Sequence, residues 1–570
     1  MEKFSLITVL VIEARQAVRT QIRAMLDGVS ISQVQFASNA YSAIRKLQVE
    51  PVDLILCSHN LGEGQQDGQH LLEDLRTNTL IGRQTLFFIL SDTPRQQQVV
   101  GTADLSPDGF LVKPFSPHLL QTRLAHALRR REHFMPLYRA IQEGRSELAL
   151  DYCLHAEERF PRYRNDFIRE RAEILLADGQ YQEAHDLFAD IAATADPVPP
   201  WAELGVVRCL IALKQLDEAR TQLTGLLAKY PLFLAANDCL TQIFEAQGDL
   251  HAARQSLETI LELAPNRTHR LRAHAMMSLQ LKDRAAAEET LNKIIDNNRF
   301  SIFRDPQDHL RMINVLLADA RIKEADGFLL ELERDFGEAP LHVLCRDLAR
   351  GRIAGARKEK DDAHSFTLHA YNHLQQVGLE TLANSLNNDT LKDMTGQLLD
   401  NKLEEEACEL SRERIRTAAN QRDLASARAA LRELGRKDLA EKVEIRLQDA
   451  AQKYLDRSEE LEKAGQFEEA VLVLMQATNA LPGSPRLLVN AAIALIRSLR
   501  EQGWVLETAD RALGLLARAR QIEPENGQAQ QLTRYLKQLA REKKGDAAAA
   551  FSAPQDTAAA NAQQQQQPGA

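Results

Sequence analysis

The chain has 570 residues, 26% of them charged, and a net charge of −10; this is too long for one hydrophobic core and suits several domains, or one domain followed by an array. The charge is uneven, with 14 Lys+Arg against 12 Asp+Glu as far as Arg131 and 56 against 68 beyond it, which argues against a phosphate-backbone binder in the acidic remainder. The apolar run Leu6 to Ile12 is too short to span a membrane and lacks a signal-peptide cleavage pattern, so a cytoplasmic protein is the expectation. Six cysteines at 57, 153, 209, 239, 345 and 408 show no CxxC spacing and read as reduced, buried thiols.

In chain order, Leu6 to Ile12 is a β-branched run of the kind buried on both faces of a parallel sheet, and Ala17 to Met25 reads as a helix. The same alternation recurs. Val34 to Ala37 precedes Ala40 to Gln48, Leu54 to Cys57 precedes His70 to Arg76, Thr85 to Leu90 precedes Arg95 to Val100, and Gly109 to Val112 precedes Pro117 to Arg131. Five strands alternating with five helices predict a doubly wound α/β domain with a five-stranded parallel sheet, whose site lies at the carboxyl ends of the strands.

Four places at those strand ends carry chemistry-bearing residues: Glu13-Ala14, Ser58, Ser91-Asp92, and Lys113-Pro114-Phe115. The ordered set resembles the receiver domain of bacterial response regulators (CheY-like, flavodoxin-like fold), over roughly residues 5 to 131. The resemblance implies two adjacent metal-binding acids where Glu13 and Ala14 stand, an acceptor aspartate where Ser58 stands, a phosphoryl-contacting hydroxyl at Ser91 and the family lysine at Lys113. It also implies a Lys-Pro bond that is often cis and a switch aromatic at Phe110. Arg19, five after Ala14, supports the register.

Two of these places depart from the family. Ala14 brings no charge and Ser58 is a hydroxyl without a neighbouring base, a far poorer phosphoryl acceptor than a carboxylate and no help in holding Mg²⁺. The expectation is a pseudo-receiver with no cofactor and no metal beyond the remnant Glu13, in which Glu13 pairs with Lys113. The competing reading lets Glu63 or Asp67 on the loop that follows Ser58, or modification of Ser58, restore Mg²⁺-linked phosphorelay control.

Beyond Arg131 strand signals stop and a period appears. Ala149, Ala184, Ala219, Ala253 and Ala287 are spaced 35, 35, 34 and 34 residues apart, and similar marks follow at Ala325, Ala363, Ala427, Ala470 and Ala512. Four and seven residues after these alanines come apolar pairs such as Phe188 and Ile191, or Leu223 and Leu226, which share one helix face. Pro161, Pro231, Pro265, Pro482 and Pro524 stand twelve after their alanines, and Gly179, Gly248 and Gly465 five before. This resembles tetratricopeptide (TPR) repeats, antiparallel helix pairs that stack into a protein-binding solenoid.

The expected organisation is an atypical receiver at 1–131, TPR array at 132–340, degenerate helical repeats at 341–450, C-terminal TPR repeats at 451–544, and a disordered Ala/Gln-rich tail at 545–570. Arg129-Arg130-Arg131 reads as basic residues complementing a helix end. His369 and His373, four apart, lack a third ligand and read as solvated. The expected function is a non-enzymatic adapter in two-component signalling, binding an upstream protein through the receiver and a target through the repeats, with neither nucleic acid nor a membrane span. The alternatives are a phosphorylation-controlled regulator with an unusual acceptor, and a TPR assembly factor with a vestigial receiver.

Overall fold

The computed structural model describes residues 7–62, 67–92, 107–263, 265, 267–299, 304–382, 385–501 and 503–551. Strands β1 (Val9–Ile12), β2 (Val34–Ala37), β3 (Leu54–Ser58), β4 (Leu86–Ser91) and β5 (Gly109–Val112) form a parallel sheet in the order β2-β1-β3-β4-β5. Side chains alternate across it. Leu10, Ile12, Ile55, Phe87 and Ile89 pack under α2 (Ala40–Val49) and α3 (Gly68–Thr77), while Val9, Val11, Leu56, Phe88 and Leu90 pack under α1 (Gln16–Gly28) and the helix Pro117–Gln142. The helix expected at Arg95 to Val100 lies outside the described residues.

The helix Pro117–Gln142 runs straight through the boundary expected at residue 131. Ser116 caps it, accepting a bond from the Leu119 amide. Leu120, Leu124 and Ala127 belong to the receiver core; Phe134, Leu137 and Ala140 belong to the core of the repeats. One helix therefore closes the sheet domain and opens the array. Its three consecutive arginines lie mid-helix, so the helix-end reading fails. Arg130 reaches Asp166 at 3.4 Å and lies over the Phe134 ring at 4.4 Å, and Arg131 reaches Asp53 at 2.6 Å.

By Cα packing the chain divides into Met1–Ala370 and Tyr371–Ala570. In the first unit, helices such as Arg164–Ala177, Pro200–Ala212, Leu234–Gln247, Thr268–Gln280 and Pro306–Ala318 are the first members of successive pairs; Tyr181–Thr194, Leu216–Lys229, Leu250–Leu263 and Arg284–Asn298 are second members. Ala149, Ala184, Ala219, Ala253 and Ala287 are fully buried in the second members, where only a small side chain lets two helices approach closely. Arginine–carboxylate pairs about one period apart tie successive first helices, as in Arg208–Glu173, Arg270–Asp238 and Arg272–Asp308. The larger core of the second unit joins Cys408, Leu431 and Val443 with Leu474, Leu516 and Leu536, a smaller one joins Ala451, Ala477, Leu481 and Leu487, and Ala470 is buried.

Five residues before most of the buried repeat alanines, though not before Ala512, the backbone is left-handed. Glycine takes this position at Gly144, Gly179, Gly248 and Gly465, but Lys214, Lys282, Ala320 and Lys358 take it too. The same signature places repeat marks at Ala407 and Ala440, preceded by Lys402 and Gly435. This corrects the mark expected at Ala427, which is buried in a different helix, Gln421–Glu433. A side chain at positive φ strains the backbone where glycine does not. Lys282→Gly is therefore expected to stabilise the array by about 0.5–1 kcal/mol, read as a higher urea midpoint with an unchanged slope.

All six cysteines are free and buried. The helix Gly527–Phe551 runs past Gly545 into the first residues of the tail expected at 545–570, as an alanine run of high helix propensity allows; residues 552–570 lie outside the described residues. No helix among the described residues is long and apolar enough to cross a membrane.

Candidate functional site

The strand register brings the sequence-marked residues to one edge of the sheet. Ile12 lies beside Cys57, Ser58 beside Leu90 and Ser91 beside Val112, so Glu13, Ser58, Ser91 and Lys113 meet where β1, β3, β4 and β5 end. Glu13 is 1% exposed, and Ser58 and Ser91 are fully buried. Arg19 shapes the floor, donating to the Glu13 carbonyl at 2.6 Å and to the Ala14 carbonyl at 2.8 Å. Ala14 itself turns outward to solvent.

Both oxygens of the Glu13 carboxylate are taken. Oε2 accepts from the Ser58 hydroxyl and from Lys113 Nζ at 2.9 Å. Oε1 accepts from the Arg15 amide at 3.0 Å and from Arg15 Nε at 3.2 Å. Lys113 Nζ also lies 3.0 Å from Ser58 Oγ and 3.6 Å from Asp92, and Arg15 reaches Asp92 at 3.3 Å. Two cations thus balance two anions within the pocket. Burial alone would push the Glu13 carboxyl up, but the bonds from Ser58, the Arg15 backbone, Lys113 and the Arg15 side chain outweigh it and hold the group down at about 2.

Arg15 is the member that sequence reasoning missed. It stands directly after Ala14, and a cation following a lost acid was the available signal.

The pairing of Glu13 with Lys113 is present, and the Lys113–Pro114 bond is cis. Phe110 is partly buried and packs against the core under α2 and α3. Asp67 does not turn toward Ser58; it caps α3, accepting from the His70 amide at 2.7 Å, and faces Arg267 of the array at 3.4 Å. Glu63 lies outside the described residues. Gly68 sits hard against the end of β3, its amide 2.7 Å from the His59 carbonyl, and a Cβ there would lie 2.5 Å from the Ser58 carbonyl oxygen. Away from this pocket, His369 Nδ1 is 2.6 Å from the buried carboxylate of Asp347. Among the described residues no group of three or more His, Cys, Asp or Glu is arranged to hold a metal ion.

The family model described as response regulator receiver domain matches residues 9–125. This front module is a response-regulator receiver. The tetratricopeptide repeat model matches residues 175–237, so the receiver is followed by TPR repeats. Among solved structures, the chain is similar to a tetratricopeptide repeat protein from Parabacteroides merdae, with 16% identity over 45% of this chain and 98% of that one and a TM-score of 0.29. It is also similar to chemotaxis protein CheY4 of Vibrio cholerae, at 22% identity over 21% and 98% with a TM-score of 0.19. A third is pilF of Pseudomonas aeruginosa, at 19% over 38% and 95% with a TM-score of 0.29. No curated protein matches the chain.

Proposed function

We propose that this protein is a cytoplasmic, non-enzymatic signalling adapter whose receiver acts by contact rather than by phosphoryl transfer, and whose TPR array engages a protein target. The observation that carries this reading is the occupied Glu13 carboxylate. A divalent cation needs several oxygen ligands with lone pairs to spare, whereas Glu13 spends both of its oxygens on Ser58, Lys113 and Arg15. Ser58 donates its hydroxyl to Glu13 and sits beside the Lys113 ammonium; Glu13, held down at about 2, is too weak a base to activate that hydroxyl.

The route from pocket to array is short. Ser58 ends β3, the next residue His59 accepts a bond from Gly68 at the start of α3, and α3 faces the repeats. A protein that binds at the strand ends of the receiver thereby biases the array by as much as it discriminates between two positions of α3.

Calorimetric titration of the full chain with beryllofluoride and Mg²⁺ tests the reading. We expect no saturable Mg²⁺-dependent heat at millimolar ligand. Saturable binding accompanied by slowed hydrogen exchange at Ser91 and Lys113 would overturn it.

A further inference from the structure

The outer face of α3 is polar yet covered. Leu71, Leu72 and Leu75 point into the receiver core, which places His70, Glu73 and Asp74 on the sides that an isolated receiver would show to water. Here His70 is 5% exposed and the Glu73 side chain 14%. The start of the repeat helix Thr268–Gln280 covers them: Arg267 Nη1 lies 3.4 Å from Asp67 Oδ1 and 3.6 Å from Glu73 Oε2, and Arg267 is itself buried.

The arginines around Arg267 are satisfied differently. Arg270 makes two bonds to Asp238, and Arg272 two to Asp308 Oδ2, all within the array. The described ion pairs of Arg267 both go to the receiver. Without α3, the array would therefore carry one uncompensated guanidinium among its first helices, and a buried cation demands a partner. The resident contact is also imperfect. Glu73 Oε2 and His70 Nδ1 are buried with no hydrogen-bond partner among the described residues, and burial, together with the neighbouring Glu73, pushes the Asp74 carboxyl up to about 7. Groups held short of partners regain water when the contact opens, so opening it is inexpensive.

We propose that Arg267 and the first helices beside it form a docking site for an acidic helical segment of a partner protein, and that α3 occupies this site as a resident substitute until such a segment displaces it. The inference rests on the array being a protein-binding surface and adds the chemistry of what it binds. Because Arg270 and Arg272 are already neutralised by Asp238 and Asp308, the site offers one cation to a pair of carboxylates. A polyphosphate backbone needs a row of cations.

The test uses the full chain and a fluorescent synthetic peptide of residues 67–77, beside a version carrying Asp67→Asn, Glu73→Gln and Asp74→Asn. The unmodified chain should bind the acidic peptide weakly, because α3 holds the site. Glu73→Lys, which sets a like charge against Arg267, should bind it at least about tenfold more tightly; adding Arg267→Ala should return binding to the unmodified level, and the neutral peptide should bind at least about tenfold more weakly. Equal binding by the unmodified and Glu73→Lys chains would overturn the proposal, as would an oligothymidylate that binds as tightly as the acidic peptide. Equal binding of the two peptides would overturn the acidic assignment while leaving protein binding by the array in place. Arg267→Ala alone gives a second measurement: hydrogen exchange in α3 should accelerate at least about tenfold while β3 and β4 stay protected, and no acceleration would likewise overturn it.

Discussion

Glu13→Gln is expected to lower receiver stability at pH 7 by about 3 kcal/mol, because the variant leaves the Lys113 ammonium and the Ser58 hydroxyl facing a neutral amide in a buried pocket. The sign of the pH dependence follows from the depressed carboxyl. Glu13 falls from an ordinary 4.5 to about 2 on folding, so its contribution is fully present above about pH 5 and is lost as pH falls toward 2. The gap between variant and unmodified chain should therefore be widest at neutral pH and close near pH 2. Hydrogen exchange in β1 and β3, measured from pH 3 to 7, reads this directly. A gap of constant size would mean that the loss comes from shape rather than charge.

Phe134→Ala is expected to cost about 3–5 kcal/mol. The ring is fully buried, stacks on Phe167 with centroids 4.1 Å apart and planes 4° from parallel, and carries the Arg130 guanidinium on its edge of the core. It is also the first large side chain of the array core on a helix whose earlier turns belong to the receiver. Urea unfolding followed by exchange in the helix Arg164–Ala177 should show early loss there. Leu148→Ala, at a residue 51% exposed, serves as the control and should change stability by less than about 0.5 kcal/mol.

The parts of this molecule that were legible beforehand are those where one residue type answers one local demand. Buried strands require β-branched and aromatic runs, so β1, β3 and β4 were placed from Val9, Ile55 and Phe87 with their neighbours. Close-packed second helices require a small side chain, so Ala149, Ala184 and Ala219 announced the period. The turns were only half legible: glycine marks a left-handed residue, but Lys214, Lys282 and Lys402 adopt the same conformation under the compulsion of their surroundings and leave no trace in composition. Lys402 thus hides the mark at Ala407, whereas Gly435 five before Ala440 is a glycine signal that the sequence does carry. In the pocket, Glu13, Ser58, Ser91 and Lys113 were each marked by position along a strand. Arg15 and the contact of Asp67 with Arg267 were not, the latter joining residues 200 apart in the chain with no periodic signal between them.

The helix Pro117–Gln142 has 26 residues, which at about 1.5 Å each makes a rod of roughly 39 Å. One end lies beneath the sheet and the other among the first repeats, and Pro136 stands inside the helix near the repeat end. A proline lacks the amide for one i→i−4 bond and makes that turn the place where the rod bends. Over the roughly 30 Å of helix that precede Pro136, a tilt of a few degrees at the receiver end amounts to a displacement of an ångström or more. Severing the polypeptide at residue 131 would leave each fragment holding half of that rod, stripped of the surface the other half keeps dry.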